Sequence, residues 1–172
     1  MIIEKHLEKK IKLDYFFIKG RLDINCKYFI EKIKKGCQAS DNKNYQTNVK
    51  DKMTSFNYFN SDPEFLKILN NIIDYVDKYF DFPSYYLADS WGVSCSYGSK
   101  TVEHNHRQSE WSGVIYLNSH DQTLDFNQIN EKLKPEPGSF AIFSPFLLHK
   151  AETHRSKKTK YGISFNLKDN GC

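Results

Sequence analysis

Apolar positions follow a helical rhythm in the first half of the chain and a two-residue rhythm in the second, with the change near residue 85. The clearest helical stripe is Phe65, Ile68, Leu69, Ile72, Ile73 and Val76, which predicts a helix over 62–79. Ser61 or Asp62 stands at its N-cap, Pro63 in its first turn, and Ser61-x-x-Glu64 has capping-box form. Such a stripe reads as a brace packed on a sheet rather than as a ligand box. Phe29, Ile30 and Ile33 share a face over 26–35, with Gly36 where a C-terminal cap belongs. Residues 13–18 read as an opening strand, and the polar Asn/Lys-rich stretch 37–60 as a long loop holding a short strand.

Beyond residue 85, strands are expected at 85–96, 101–107, 112–118, 124–126, 139–144, 147–151 and 160–167. Pro135-Glu136-Pro137-Gly138 marks a tight turn. In the last strand Tyr161, Ile163, Phe165 and Leu167 fall on one face, and Lys160, Gly162, Ser164 and Asn166 on the other. The first face suits packing against helices and the second suits a polar cavity. The expected class is mainly β: a jelly roll with supporting N-terminal helices on its outer surface.

Composition narrows this picture. At 172 residues the chain is expected to form one domain, with no internal repeat or linker. A net charge of +4 is mildly basic, and no base-stacking array or recognition helix accompanies it, which argues against a nucleic-acid partner. Arg155, Lys157 and Lys158 read as a solvated loop; Lys160 differs because it begins a strand. Cys26, Cys37, Cys95 and Cys172 show no C-x-x-C spacing, so neither a disulfide frame nor a structural zinc site is expected and a reducing cytoplasm is the simplest home. No apolar run suits a secretion signal or membrane span. Nothing in the composition excludes a homodimer.

The candidate chemistry lies in His104-Asn105-His106 and in His149, 43 residues after His106. Two apart on an extended segment, His104 and His106 point to one side of a sheet, and a third imidazole from a distant strand can complete one face of a metal's coordination sphere. By itself a His-x-His pair is more often structural or accidental. Glu103 alternates to the opposite face and Glu110 lies beyond the turn, so neither is a strong ligand candidate. His120 and His154 sit in polar loops and read as surface residues rather than ligands, and His6, in a charged N-terminal segment, is assigned no role.

The flanking residues add a resemblance. Ser90-Trp91-Gly92-Val93, then Glu103 through Leu117, then Pro137 through His149, then Lys160 through Asn166 are similar, in that order, to the core of iron(II)/2-oxoglutarate-dependent oxygenases. The nearest branch is a small prolyl-hydroxylase-like group common in phage and marine bacterial sequences. The similarity covers about 85–168 and extends loosely to Tyr15-Phe16-Phe17 and Tyr45-Gln46-Thr47-Asn48. It implies a double-stranded β-helix, Fe(II) as cofactor, 2-oxoglutarate and O₂ as co-substrates, and hydroxylation of a further substrate with release of succinate and CO₂. It also implies His104, His106 and His149 as metal ligands, with Lys160 and Tyr116 pairing with the distal carboxylate of 2-oxoglutarate.

Two departures stand out. His106 occupies the place of the carboxylate ligand found in many members of the superfamily. Lys160-Tyr161-Gly162 replaces the branch's Arg-x-Ser, so a bidentate fork becomes a point charge and a hydroxyl is missing. Ser164 or Asn166, on the face of Lys160, could replace that hydroxyl; Tyr116 could equally be a core aromatic. Arg107 at the rim could steer an anionic substrate. Two other readings remain: a non-catalytic jelly-roll metal-binding or assembly protein, and a three-histidine cupin-type dioxygenase that needs no 2-oxoglutarate.

Overall fold

The structure, a computed structural model, describes residues 15–39, 47–78 and 85–170. His6, Leu13, Asp14, Tyr45, Gln46, Tyr79 and Cys172, each part of an expectation above, lie outside those residues. In chain order the elements are β1 (Phe17–Arg21), α1 (Cys26–Ala39), β2 (Lys52–Met53), α2 (Pro63–Asp77), β3 (Tyr85–Cys95) and β4 (Thr101–His104). They continue with β5 (Trp111–Tyr116), β6 (Leu124–Phe126), β7 (Glu131–Leu133), β8 (Ser139–Phe143), β9 (His149–Ala151) and β10 (Lys160–Asp169). The strands form two antiparallel sheets, β1-β8-β5-β10-β3-β2 and β4-β9-β6-β7, an arrangement consistent with a jelly roll.

Alternation along the central strands decides what each layer holds. On β10, Ile163, Phe165 and Leu167 join a cluster under the helices with Phe65 and Leu69 of α2 and Ile33 of α1. On β5 and β8 the neighbouring positions Val114, Tyr116, Ala141 and Phe143 turn inward and meet Leu124 and Phe126 of the smaller sheet. Burying each large apolar side chain stabilises by roughly 1.5–3 kcal/mol, so the helix-facing side of β10 contributes heavily. The inward side of the same strand is thereby free to carry polar residues.

Asp62, rather than Ser61, caps α2: its carboxylate accepts from the Phe65 backbone N–H at 2.9 Å and also engages Tyr28 and Lys32 of α1. Gly36 does not end α1, which runs on to Ala39. It serves close packing instead, since a Cβ there would stand 2.7 Å from both Thr54 Cγ2 and Tyr58 Cζ. The turn before β8 forms as expected: Ser139 N–H donates to the Glu136 carbonyl at 3.0 Å, and Gly138 takes the left-handed conformation at φ 78°. Strand β7, which was not expected, pairs with β6 over three residues, too short a run to leave a periodic trace. Among the described residues no helix is long and apolar enough to cross a membrane.

Candidate metal centre

His104 closes β4 and stands opposite His149, the first residue of β9, in the antiparallel register. His106 follows two residues later, its backbone N–H donating to the Pro145 carbonyl at 2.7 Å, which ties the segment after β4 to the one before β9. The three rings converge: centroid separations are 4.4 Å for His104–His149, 4.9 Å for His104–His106 and 5.1 Å for His106–His149. One nitrogen from each can be chosen so that all lie within 4.8 Å of one another. Among the described residues this is the one group of three His, Cys, Asp or Glu side chains so arranged.

Protonation suits a cation. His104 Nδ1 is 2.7 Å from the Val102 carbonyl and His149 Nδ1 is 3.0 Å from the Leu147 carbonyl. A carbonyl oxygen only accepts, so each Nδ1 carries the proton and each Nε2 is left with a lone pair. Burial depresses all three imidazole pKa values, with repulsion between the rings adding at two of them: His149 is pushed down to about 3, His106 to about 4, and His104 falls below its usual value. The rings are therefore neutral near pH 7. His106 Nε2 and His149 Nε2 are 3.3 Å apart. Two nitrogens about 2.1 Å from one ion, at angles between octahedral and tetrahedral, are separated by roughly 3.0–3.4 Å. The residues fit a divalent metal.

From the imidazoles a narrow cavity of about 60 Å³ runs between the sheets. Its walls include Trp91, Val114 and Phe143, and Lys160 lies along it. Lys160 is 3 % exposed, and its ammonium makes no ion pair or hydrogen bond among the described residues; it lies 5.4 Å from the centroid of the Tyr116 ring. Burial pulls its pKa below the usual lysine value, and it pushes that of the Tyr116 phenol up. Gly162 faces Tyr116 across the β10–β5 pair, where a Cβ would meet the Tyr116 ring at 3.2 Å. The ring thus covers the position that a serine would take in an Arg-x-Ser pattern.

Ser164 also faces this cavity. Asn166 does so only at its far end, six residues from Lys160 and roughly 20 Å along the strand at about 3.3 Å per residue. Its amide is already engaged, accepting from Ser112 Oγ and donating to Asp89 Oδ1, each at 2.7 Å. The structure brings Lys160 and Tyr116 together and leaves Asn166 apart from them. Glu103 and Glu110 are exposed. Trp111 is packed against Phe16 and Tyr85 in the helix-side core.

His120 and His154 correct the reading that placed them on the surface. They are 6 % and 0 % exposed, with rings 4.1 Å apart. Their loops fold back on the protein: His120 Nδ1 accepts from the Gln122 N–H and its Nε2–H donates to the Lys158 carbonyl, while His154 Nδ1 accepts from the Ser156 N–H. Imidazoles that satisfy local backbone groups can be buried in segments whose composition is polar.

Asp89 was not singled out from the sequence. The β3–β10 register shifts between Asn166, opposite Asp89, and Leu167, opposite Leu87, leaving Ala88 as an extra residue. Tyr85 and Leu87 pack on the helix side, whereas Trp91, Val93 and Cys95 belong to a cluster on the cavity side. The bulge reverses the face of the odd-numbered positions and brings Asp89 into a cleft that His104 and His106 also line.

No family model matches the chain, and no curated protein matches it in sequence. Solved structures match it in shape. The viral collagen prolyl hydroxylase vCPH from Paramecium Bursaria Chlorella virus-1, in its 2OG complex, superposes with a TM-score of 0.68 at 18% identity, covering 90% of this chain and 96% of that one. A Pseudomonas putida prolyl-4-hydroxylase gives 0.62 at 12% identity over 90% and 93%. HygX from Streptomyces hygroscopicus, with nickel and 2-oxoglutarate bound, gives 0.67 at 9% identity over 90% and 83%. The chain has the fold of 2OG-Fe(II) oxygenases.

Proposed function

We propose that residues 1–172 act as one Fe(II)- and 2-oxoglutarate-dependent dioxygenase domain that hydroxylates a C–H bond of a further substrate. The observation that carries this reading is a buried lysine, without a counter-ion among the described residues, in the same cavity as three convergent neutral imidazoles. An unpaired buried ammonium is costly, and it is expected where a ligand supplies the anion. His104, His106 and His149 would hold the metal through Nε2, with Val102 and Leu147 fixing two of the rings. Bound there, Fe(II) would supply the centre at which O₂ and 2-oxoglutarate react, giving succinate, CO₂ and hydroxylated substrate.

The chain's own residues do the rest. Lys160 neutralises the distal carboxylate of 2-oxoglutarate, and the Tyr116 phenol beside it, protonated at neutral pH, donates a hydrogen bond to the same group. Three imidazoles bring no negative charge to the metal, so a dianionic co-substrate supplies the balance that a ligating carboxylate provides elsewhere. Val114, Leu124 and Phe143 wall the cavity with apolar surface and keep bulk water out. Among the described residues Cys26, Cys37 and Cys95 form no disulfide, which suits a reducing cytoplasm.

Anaerobic addition of Fe(II) and 2-oxoglutarate is expected to give a weak visible charge-transfer band, and oxygen is expected to yield succinate even without added substrate. Binding without any succinate would indicate a non-catalytic metal-binding protein. Turnover that does not depend on 2-oxoglutarate would indicate a three-histidine dioxygenase of cupin type.

A further inference from the structure

Among the described residues, each fully buried carboxylate has a lysine of its own. Asp62, 4 % exposed, pairs with Lys32, and Asp125, 7 % exposed, has Lys132 at 3.2 Å. Asp89 is half-buried beside the imidazoles, yet no Lys or Arg among the described residues comes within ion-pair distance of it. The relay from Ser112 through Asn166 holds its Oδ1, while its Oδ2 has no protein partner among the described residues. Burial raises the carboxyl pKa, against the lowering effects of the Asn166 amide and the Lys168 charge, so a cation brought to Oδ2 would relieve a real cost.

Asp89, Asn166 and His106 form the common wall of two clefts. One, of about 300 Å³, is lined on its other sides by Thr47, Asn48, Val49, Met53, Phe56 and Trp91 and opens onto His104. The indole of Trp91 and the ring of Phe56 stand edge to face at 5.2 Å, giving this cleft an aromatic wall. The other, of about 340 Å³, passes Arg107 and Lys168 and is polar. A carboxylate in a cleft with one apolar, aromatic wall matches a ligand with a charged head and a hydrocarbon stem.

We propose that Asp89 is the specificity-determining residue of the substrate cleft, and that the substrate presents an aliphatic cation, an alkylammonium or guanidinium, with its carbon stem lying along Trp91 and Phe56 toward His106. This rests on the imidazole site being the oxidising centre. Lys160 and Asp89 then divide the ligands by charge: the dicarboxylate goes to the closed end of the cavity and the cation to its mouth.

The test is calorimetric binding to the full chain of four probes: n-pentylamine, Nα-acetyl-lysine methylamide, its Nε-acetylated neutral form, and valerate. One or both ammonium probes are expected to bind, the free amine pointing to a small amine and the peptide-like probe to a lysine side chain. The Nε-acetylated form and valerate are expected to bind at least about tenfold more weakly, and Asp89→Asn is expected to weaken the ammonium probes about tenfold or more. Equal binding of the neutral form, tighter binding of valerate, binding unaffected by Asp89→Asn, or no ammonium binding at all would overturn the proposal. The comparison of probes on the unaltered protein holds even if the variant does not fold. Binding of 2-oxoglutarate with Fe(II) is measured separately: its failure alone removes the oxygenase reading, and failure of the ammonium probes alone removes only the role of Asp89.

Discussion

Replacing Lys160 by Met separates the two roles that a buried cation can have. The side chain is 3 % exposed, its ammonium lies 5.4 Å from the centroid of the Tyr116 ring, and among the described residues it has no counter-ion. A methionine of similar length fills the space and removes the desolvated charge. Exchanging buried charges for apolar groups of similar volume is neutral or stabilising by about 1–4 kcal/mol, and loss of the cation–π contact takes back roughly 0.5–2 kcal/mol. Without ligand, Lys160→Met is therefore expected to fall between about 2 kcal/mol less and about 3.5 kcal/mol more stable than the parent. The effect on binding runs the other way. Truncating one partner of a buried charge pair costs about 2–5 kcal/mol, so the Kd for 2-oxoglutarate should rise roughly 30- to 4,000-fold. Urea unfolding at constant m reads the first quantity, and anaerobic titration with Fe(II) and 2-oxoglutarate reads the second. A variant that loses more than about 2 kcal/mol of stability while binding 2-oxoglutarate like the parent would refute the reasoning and make Lys160 a structural residue.

The metal-free protein should lose stability as pH falls below neutrality. His149 and His106 protonate near 3 and 4 when folded but near 6.5 when unfolded, so between about pH 4 and 6.5 the unfolded chain holds more protons. Two such groups give at most about 2.7 kcal/mol per pH unit, and urea midpoints that stay flat from pH 7 to 5 would contradict the burial of these rings. Asp62→Ala should cost about 1–2 kcal/mol by removing the cap of α2, read as a fall in Tm of roughly 2–4 °C per kcal/mol. Lys32, 38% exposed, adds little to that loss.

Where one physical rule governed a segment, the chain could be read directly. The alternation of β10 separated Ile163, Phe165 and Leu167 from Lys160 and Ser164, because a strand buried on one face and lining a cavity on the other must alternate. The stripe of α2 was equally plain, although Ile68 and Ile73 at its edges are only partly buried. The three histidines were legible from spacing and from the resemblance around them. Asp89 was not, because a single extra residue at Ala88 reverses the face of everything after it and leaves no trace in the amino-acid pattern. His120 and His154 misled because composition marks a segment as polar without saying whether its side chains bond to solvent or to their own backbone. Gly36 misled because a glycine where a cap belongs looks the same as one that lets a neighbouring aromatic ring approach.

Anomalous diffraction at the iron edge, from an anaerobic crystal grown with Fe(II) and 2-oxoglutarate, tests the central claim most directly. One peak per chain is expected, about 2.1 Å from Nε2 of His104, His106 and His149 together. A peak bonded to other side chains, or no peak at a metal concentration that saturates binding in solution, would contradict the account.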